Sequence, residues 1–100
     1  MASKKMEAGE VARRVAELES WSERGGKLHR EVRFESFRDA FAFMTRVAFE
    51  AETMNHHPDW SNSYSTVVVD LSSHDVGGIS ERDFRLAAAI DAAASVFGAR

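Results

Sequence analysis

The sequence contains no cysteine, which removes disulfides, thiolate metal sites and cysteine nucleophiles together and leaves the redox compartment open. It has one proline and six glycines in 100 residues, with 44% hydrophobic and 29% charged positions. That balance belongs to a folded chain rather than a disordered one. Cationic clusters are also missing: the formal charge is −3, the pI is near 5.8, and no basic run exceeds Lys4-Lys5. Phosphate backbones are bound through clustered cations, so direct nucleic-acid binding is not expected. No apolar run approaches the roughly 20 residues that span a bilayer, and Met1-Ala2-Ser3-Lys4-Lys5 lacks the apolar stretch of a signal peptide. Neither membrane association nor export is expected, and the cytoplasm is the expected location. The length fits one domain, residues 1–100.

What is present alternates between helical and strand periods. Between Glu7 and Glu19, Val11, Val15 and Leu18 recur at helical spacing. Trp21–Arg24 and Lys27–Phe34 flank Gly25-Gly26, a pair suited to the positive-φ turns of hairpins. In the second arm Leu28, Val32 and Phe34 alternate with His29, Glu31 and Arg33, so one sheet face is expected to be wet. Ser36 and Asp39 have capping-box spacing ahead of a long helix whose arc carries Phe37, Ala40, Phe41, Phe43, Met44, Val47, Ala48, Ala51 and Met54. Phe49 falls on its polar side, as a stray surface aromatic or a subunit contact. Pro58 disfavours helical dihedrals at His57, which predicts the helix end there. Ser61-Asn62-Ser63 reads as a turn, with a short strand between His57 and Trp60 left open, and Tyr64–Leu71 reads as a strand. After the Gly77-Gly78 loop, Ser80 and Asp83 open a last helix striped by Leu86, Ala87, Ile90, Ala93, Ala94 and Phe97. The order predicts an α+β fold with an antiparallel sheet and helices packed on one face.

Acid–base groups are concentrated in Glu52-Thr-Met-Asn-His-His-Pro-Asp-Trp60, with His74 arriving in the later loop. Glu52 and His56 are four residues apart, a spacing that lets the carboxylate orient the imidazole if the helix continues. His57 must aim elsewhere, because neighbours on a helix diverge by about 100°. An imidazole can give or take a proton near neutrality. Trp60 offers an aromatic wall, and Arg82 with Asp83 a charged pair near His74 if the loop folds back. Each residue also has a plainer reading: helix-end histidines in solvent, Asp83 as the capping partner of Ser80, Arg82 as a solvated charge, Trp60 as a core plug. A zinc set is disfavoured because adjacent histidines are poorly spaced as ligands, and no Gly-x-Ser-x-Gly elbow is present. The residues alone point to a metal-free acid–base site or a ligand pocket.

The Glu-x-x-x-His-His-Pro-x-Trp element, followed by Ser73-His-Asp-Val-Gly-Gly-Ile-Ser-Glu-Arg-Asp83, closely resembles the pterin-4a-carbinolamine dehydratases. The resemblance includes the Phe41-Ala-Phe-Met-Thr-Arg-Val-Ala48 helix and extends from about Trp21 to Phe97. It implies a four-stranded antiparallel sheet with three helices on one face, in the order α-β-β-α-β-β-α, and a homodimer or homotetramer. It also implies the dehydration of 4a-hydroxytetrahydropterin to quinonoid dihydropterin, which recycles the pterin used by aromatic amino-acid hydroxylases. No cofactor or metal is implied, because the pterin is the substrate. By resemblance, His56, His57 and His74 are the catalytic acid–base set, the first two as acids toward the leaving hydroxyl. Glu52, Trp60, Arg82 and Asp83 are the implied substrate-binding residues. Asn55, Asp59 and Ser61 stand where Asp, Glu and Phe are common in the family, at the rim of the implied site. The alternative is a protein-binding module, since animal members also serve as dimerisation cofactors for a homeodomain transcription factor.

Overall fold

The computed structural model describes residues 4–100; the start Met1-Ala2-Ser3, read above as lacking the apolar stretch of a signal peptide, lies outside them. The elements are α1 (Ala8–Ala16), β1 (Ser22–Arg24), β2 (Lys27–Arg33), α2 (Phe37–Met54), β3 (Asp59–Ser63), β4 (Thr66–Leu71) and α3 (Glu81–Val96), with one 3₁₀ turn, His74–Val76, before α3. The four strands pair antiparallel in the spatial order β1-β2-β4-β3. The fold is the α+β arrangement expected, three helices over one face of a four-stranded sheet.

Strand alternation decides which face is covered. Leu28 pairs with Leu71 and Val32 with Val67, and all four are buried with Val69 against Phe43, Val47, Leu86 and Ile90 of the helices. The opposite face carries His29, Glu31, Arg33, Asp59, Asp70 and Thr66, so the wet face is as the alternation required. Arg30 is an exception to the pattern: it shares the covered face with Leu28 and Val32. Its guanidinium meets Asp91 of α3, which also accepts a 2.8 Å hydrogen bond from the buried Trp21 indole.

The structure moves three boundaries. First, α2 ends at Met54 rather than near His57. Asn55 takes the left-handed conformation (φ 52°, ψ 43°), and the N–H groups of Asn55 and His56 close back on the carbonyls of Glu52 and Ala51. This is the Schellman closure, and asparagine is the side chain that best tolerates it after glycine. Second, Ser61-Asn62-Ser63 is not a turn but the body of β3; the turn falls at Tyr64-Ser65, with Tyr64 at φ 50°. Asn62 Nδ2 donates to the carbonyls of Tyr64 and Thr66, so a polar edge strand supplies the capping of its own turn. Third, the buried stripe of α2 is narrower than its apolar arc: Ala40, Phe43, Val47 and Ala51 are buried, while Phe37, Phe41 and Ala48 are exposed; Phe49, on the polar side, is exposed as its position predicts.

The two helix starts also differ. Ser36 Oγ accepts from Asp39 N at 3.1 Å with no return bond, whereas Ser80 and Asp83 form the full reciprocal box. No helix among the described residues is long and apolar enough to cross a membrane.

Candidate active site

The tight end of α2 throws the chain off the helix at Asn55, so His56 and His57 leave in different directions from a non-helical corner. His56 turns inward, and its side chain retains 8% exposure. Its Nε2 lies 2.6 Å from Oδ1 of Asp83, a residue with no exposed surface. The second oxygen of Asp83 accepts from Ser73 Oγ at 2.8 Å and from the Ser80 N–H at 2.9 Å, and the two serine hydroxyls are 2.7 Å apart. Buried carboxylates are stable when their lone pairs are filled, and both oxygens of this one have partners. The network therefore clamps one nitrogen of His56. Its Nδ1 makes no hydrogen bond among the described residues.

His57 turns outward and pairs with Glu52, Nε2 to Oε1 at 2.8 Å. The four-residue spacing pairs Glu52 with His56 only on a continuing helix; termination of α2 at Met54 carries His56 away and brings His57 to the carboxylate instead. His74 opens the 3₁₀ turn, which is closed by the Ser73–Gly78 bridge. Its Nε2 stands 3.9 Å from Asp59 Oδ2, and the same oxygen is 3.3 Å from Lys27 Nζ.

These elements enclose a cleft of about 410 Å³ whose walls include His56, His57, His74, Asp59, Ser72 and Asp75. That volume lies in the range of small-molecule sites. The three histidines named from sequence thus face one space. The other four named residues do not line it. Glu52 and Asp83 reach it through the histidines they hold, and Arg82 reaches it through Asp75, donating from Nη2 to Oδ1 at 2.6 Å. The Arg82 hydrogen bond holds the Asp75 carboxyl below its ordinary value, with the guanidinium charge adding to the effect. Trp60 pairs across the sheet with Val69, on the covered face, and its indole packs against the core.

Ser73 and Asp75 carry no assigned role in the sequence analysis, and Asp59, placed there at the rim, lines the cleft itself. Ser73 precedes His74 and shares the capping-box carboxylate with Ser80, so the box itself was the available signal. Asp59 and Asp75 each follow a site histidine within two residues. Among the described residues no three His, Asp or Glu side chains are grouped to hold a metal ion.

Comparison with known proteins identifies the family. The family model described as pterin 4 alpha carbinolamine dehydratase matches residues 4–93. A protein of Solibacter usitatus, named as a candidate pterin-4-alpha-carbinolamine dehydratase, is 47% identical over 91 residues, covering 91% of this chain and 96% of its own. A protein of Sinorhizobium medicae with the same name is 48% identical over 96 residues, covering 94% and 91%. Among solved structures, a transcriptional coactivator/pterin dehydratase from Brucella melitensis superposes with a TM-score of 0.87 at 32% identity, over 91% of this chain and 99% of that one. A pterin dehydratase-like protein described as a RuBisCO assembly factor in the alpha-carboxysome gives 0.66 at 28% identity, over 77% and 92%. Sequence over nearly the whole chain and backbone over nine-tenths of it agree, and the chain belongs to the pterin-4-alpha-carbinolamine dehydratase family.

Proposed function

We propose that this protein dehydrates 4a-hydroxytetrahydropterin to quinonoid dihydropterin by histidine acid–base catalysis, recycling the pterin oxidised by aromatic amino-acid hydroxylases. The observation that carries the reading is the convergence of His56, His57 and His74 on one cleft in a chain of this family. The reaction breaks the C4a–O bond while the N5 lone pair forms the C4a=N5 double bond. A proton must reach the departing hydroxyl, which leaves as water, and the N5 proton must be removed. Three imidazoles around one space supply both transfers near neutral pH, each contributing about 10²–10⁴-fold.

The supporting contacts divide the work. His56, clamped at Nε2 by Asp83 and with Nδ1 unbonded among the described residues, is the first acid toward the hydroxyl; His57, held by Glu52, is the second; His74 takes the N5 proton. Glu52 and Asp83 act through these rings, and Arg82 fixes the loop that carries His74 through Asp75. The pterin is substrate, and no cofactor or metal enters the scheme. Purified protein should accelerate loss of 4a-hydroxytetrahydropterin, followed by absorbance of the quinonoid product, with the rate unchanged by chelator. A His56→Ala/His57→Ala/His74→Ala variant with undiminished activity would exclude the scheme.

A second reading, a protein-binding module, draws support from the outer helix surface, where Phe41, Phe49 and Val96 are 57%, 69% and 72% exposed. The solved relatives described as a transcriptional coactivator and an assembly factor point the same way. The same surface suits packing of a second copy in a homodimer or homotetramer. An inactive protein that forms a stable complex through this surface would favour the binding role over catalysis.

A further inference from the structure

Beyond His74 lies a second cavity, of about 490 Å³, which shares Ser72 and His74 with the histidine cleft. Its remaining wall includes Lys5, Glu23, Lys27 and Gly78. Lys5 is placed there by the fold. The Met6 N–H donates to the Ile79 carbonyl at 2.7 Å, tying the segment before α1 to the loop that carries His74. The Lys5 stem then crosses Gly78 so closely that a Cβ on Gly78 would sit 2.9 Å from Lys5 Cε. A residue without a side chain is what lets the stem lie there. The lining includes two lysines and one carboxylate residue, Glu23. Lys27 is already engaged with Asp59, whereas Lys5 forms no ion pair among the described residues.

In a pterin, C6 is bonded to N5 and N5 to C4a. A ring held with its C4a–N5 edge against the histidines therefore sends its C6 substituent out beside that edge, and the open volume adjoining His74 is this cavity. We propose that the cavity binds an anionic substituent at C6 of the pterin, a phosphate or a carboxylate, with Lys5 as the specificity-determining cation. The placement of the ring rests on the dehydratase reading; the charge of the cavity does not.

The test is binding of three 7,8-dihydropterins that lack the 4a-hydroxyl and differ only at C6: hydroxymethyl, its phosphate ester, and carboxylate. Fluorescence titration should give Kd values roughly three- to tenfold lower for the two anions than for the hydroxymethyl compound, in the range of one partly exposed charged contact. The order of phosphate and carboxylate identifies which anion the site fits. Lys5→Met should abolish the gain and leave hydroxymethyl binding unchanged, Lys5→Glu should invert it, and Gly78→Ala, which displaces the stem while keeping the charge, should reduce it. Equal Kd values for all three compounds, a gain that survives Lys5→Met, or no binding of any of them overturns the inference. Turnover of a neutral carbinolamine, measured separately, keeps the two readings apart: turnover without an anion gain refutes only the C6 site, and a Lys5-dependent gain without turnover refutes only the dehydratase.

Discussion

The His56–Asp83 pair and the His57–Glu52 pair are chemically alike, an imidazole nitrogen within 2.8 Å of a carboxylate oxygen, yet they occupy opposite environments. In the first, the side chains are 8% and 0% exposed; in the second, 57% and 81%. The His74–Asp59 contact, at 3.9 Å and with side chains 82% and 60% exposed, extends the second type. Removing one partner of a buried pair leaves an uncompensated polar group in the interior. Removing one partner of an exposed pair changes stability little, because water replaces it. The candidate site is thus half built into the core and half mounted on its surface, so loss of structure and loss of chemistry can be separated experimentally.

The comparison breaks most readily at Asp83. Asp83→Ala deprives His56, Ser73 and the Ser80 N–H of their acceptor together, and urea unfolding should show a loss of about 3–5 kcal/mol. An unfolding midpoint equal to wild type would show that the buried network holds nothing. Ser73→Ala removes one hydrogen bond to the same carboxylate and should cost about 1.5–3 kcal/mol by the same measurement, without moving the position of the loop. The smallest effect belongs to the surface pair Asp75–Arg82. The folded-state pKa of Asp75 lies below its ordinary value of 3.8. Its contribution is therefore complete above that value and disappears as pH falls through the lowered one. Asp75→Asn should lower the unfolding midpoint slightly at pH 7 and 5, and the difference from wild type should shrink as pH falls below 3.8 and through the lowered folded-state value; a difference that grows on acidification would reverse the assignment.

How much of this was legible depended on the range of the interaction. The box at Ser80 and Asp83 spans three residues and could be read directly, as could the stripe of α3 and the alternation of β2. The place where α2 ends could not, because Pro58 marked a boundary while the left-handed Asn55 set it three residues earlier. That shift exchanged the partner of Glu52 from His56 to His57. β3 was hidden because Ser61, Asn62 and Ser63 have turn composition, and an edge strand with one open side tolerates it. The alternation that places Leu28 and Val32 on the covered face places Arg30 there too, but its counter-charge, Asp91, lies far along the chain and no local pattern names it. Likewise nothing in local spacing joins His56 to Asp83 across 27 residues, although both stood among the named site residues. The sequence identified the histidines by density and resemblance; the sheet and the α3 capping box brought them to one cleft.

The most direct measurement is the single-turnover rate of 4a-hydroxytetrahydropterin loss catalysed by a His57→Ala/His74→Ala variant, alongside its unfolding midpoint. The unfolding free energy should lie within about 0.5 kcal/mol of wild type, since both rings are exposed, with a rate lower by about 10²-fold or more. A folded variant that dehydrates the substrate at the wild-type rate would contradict it.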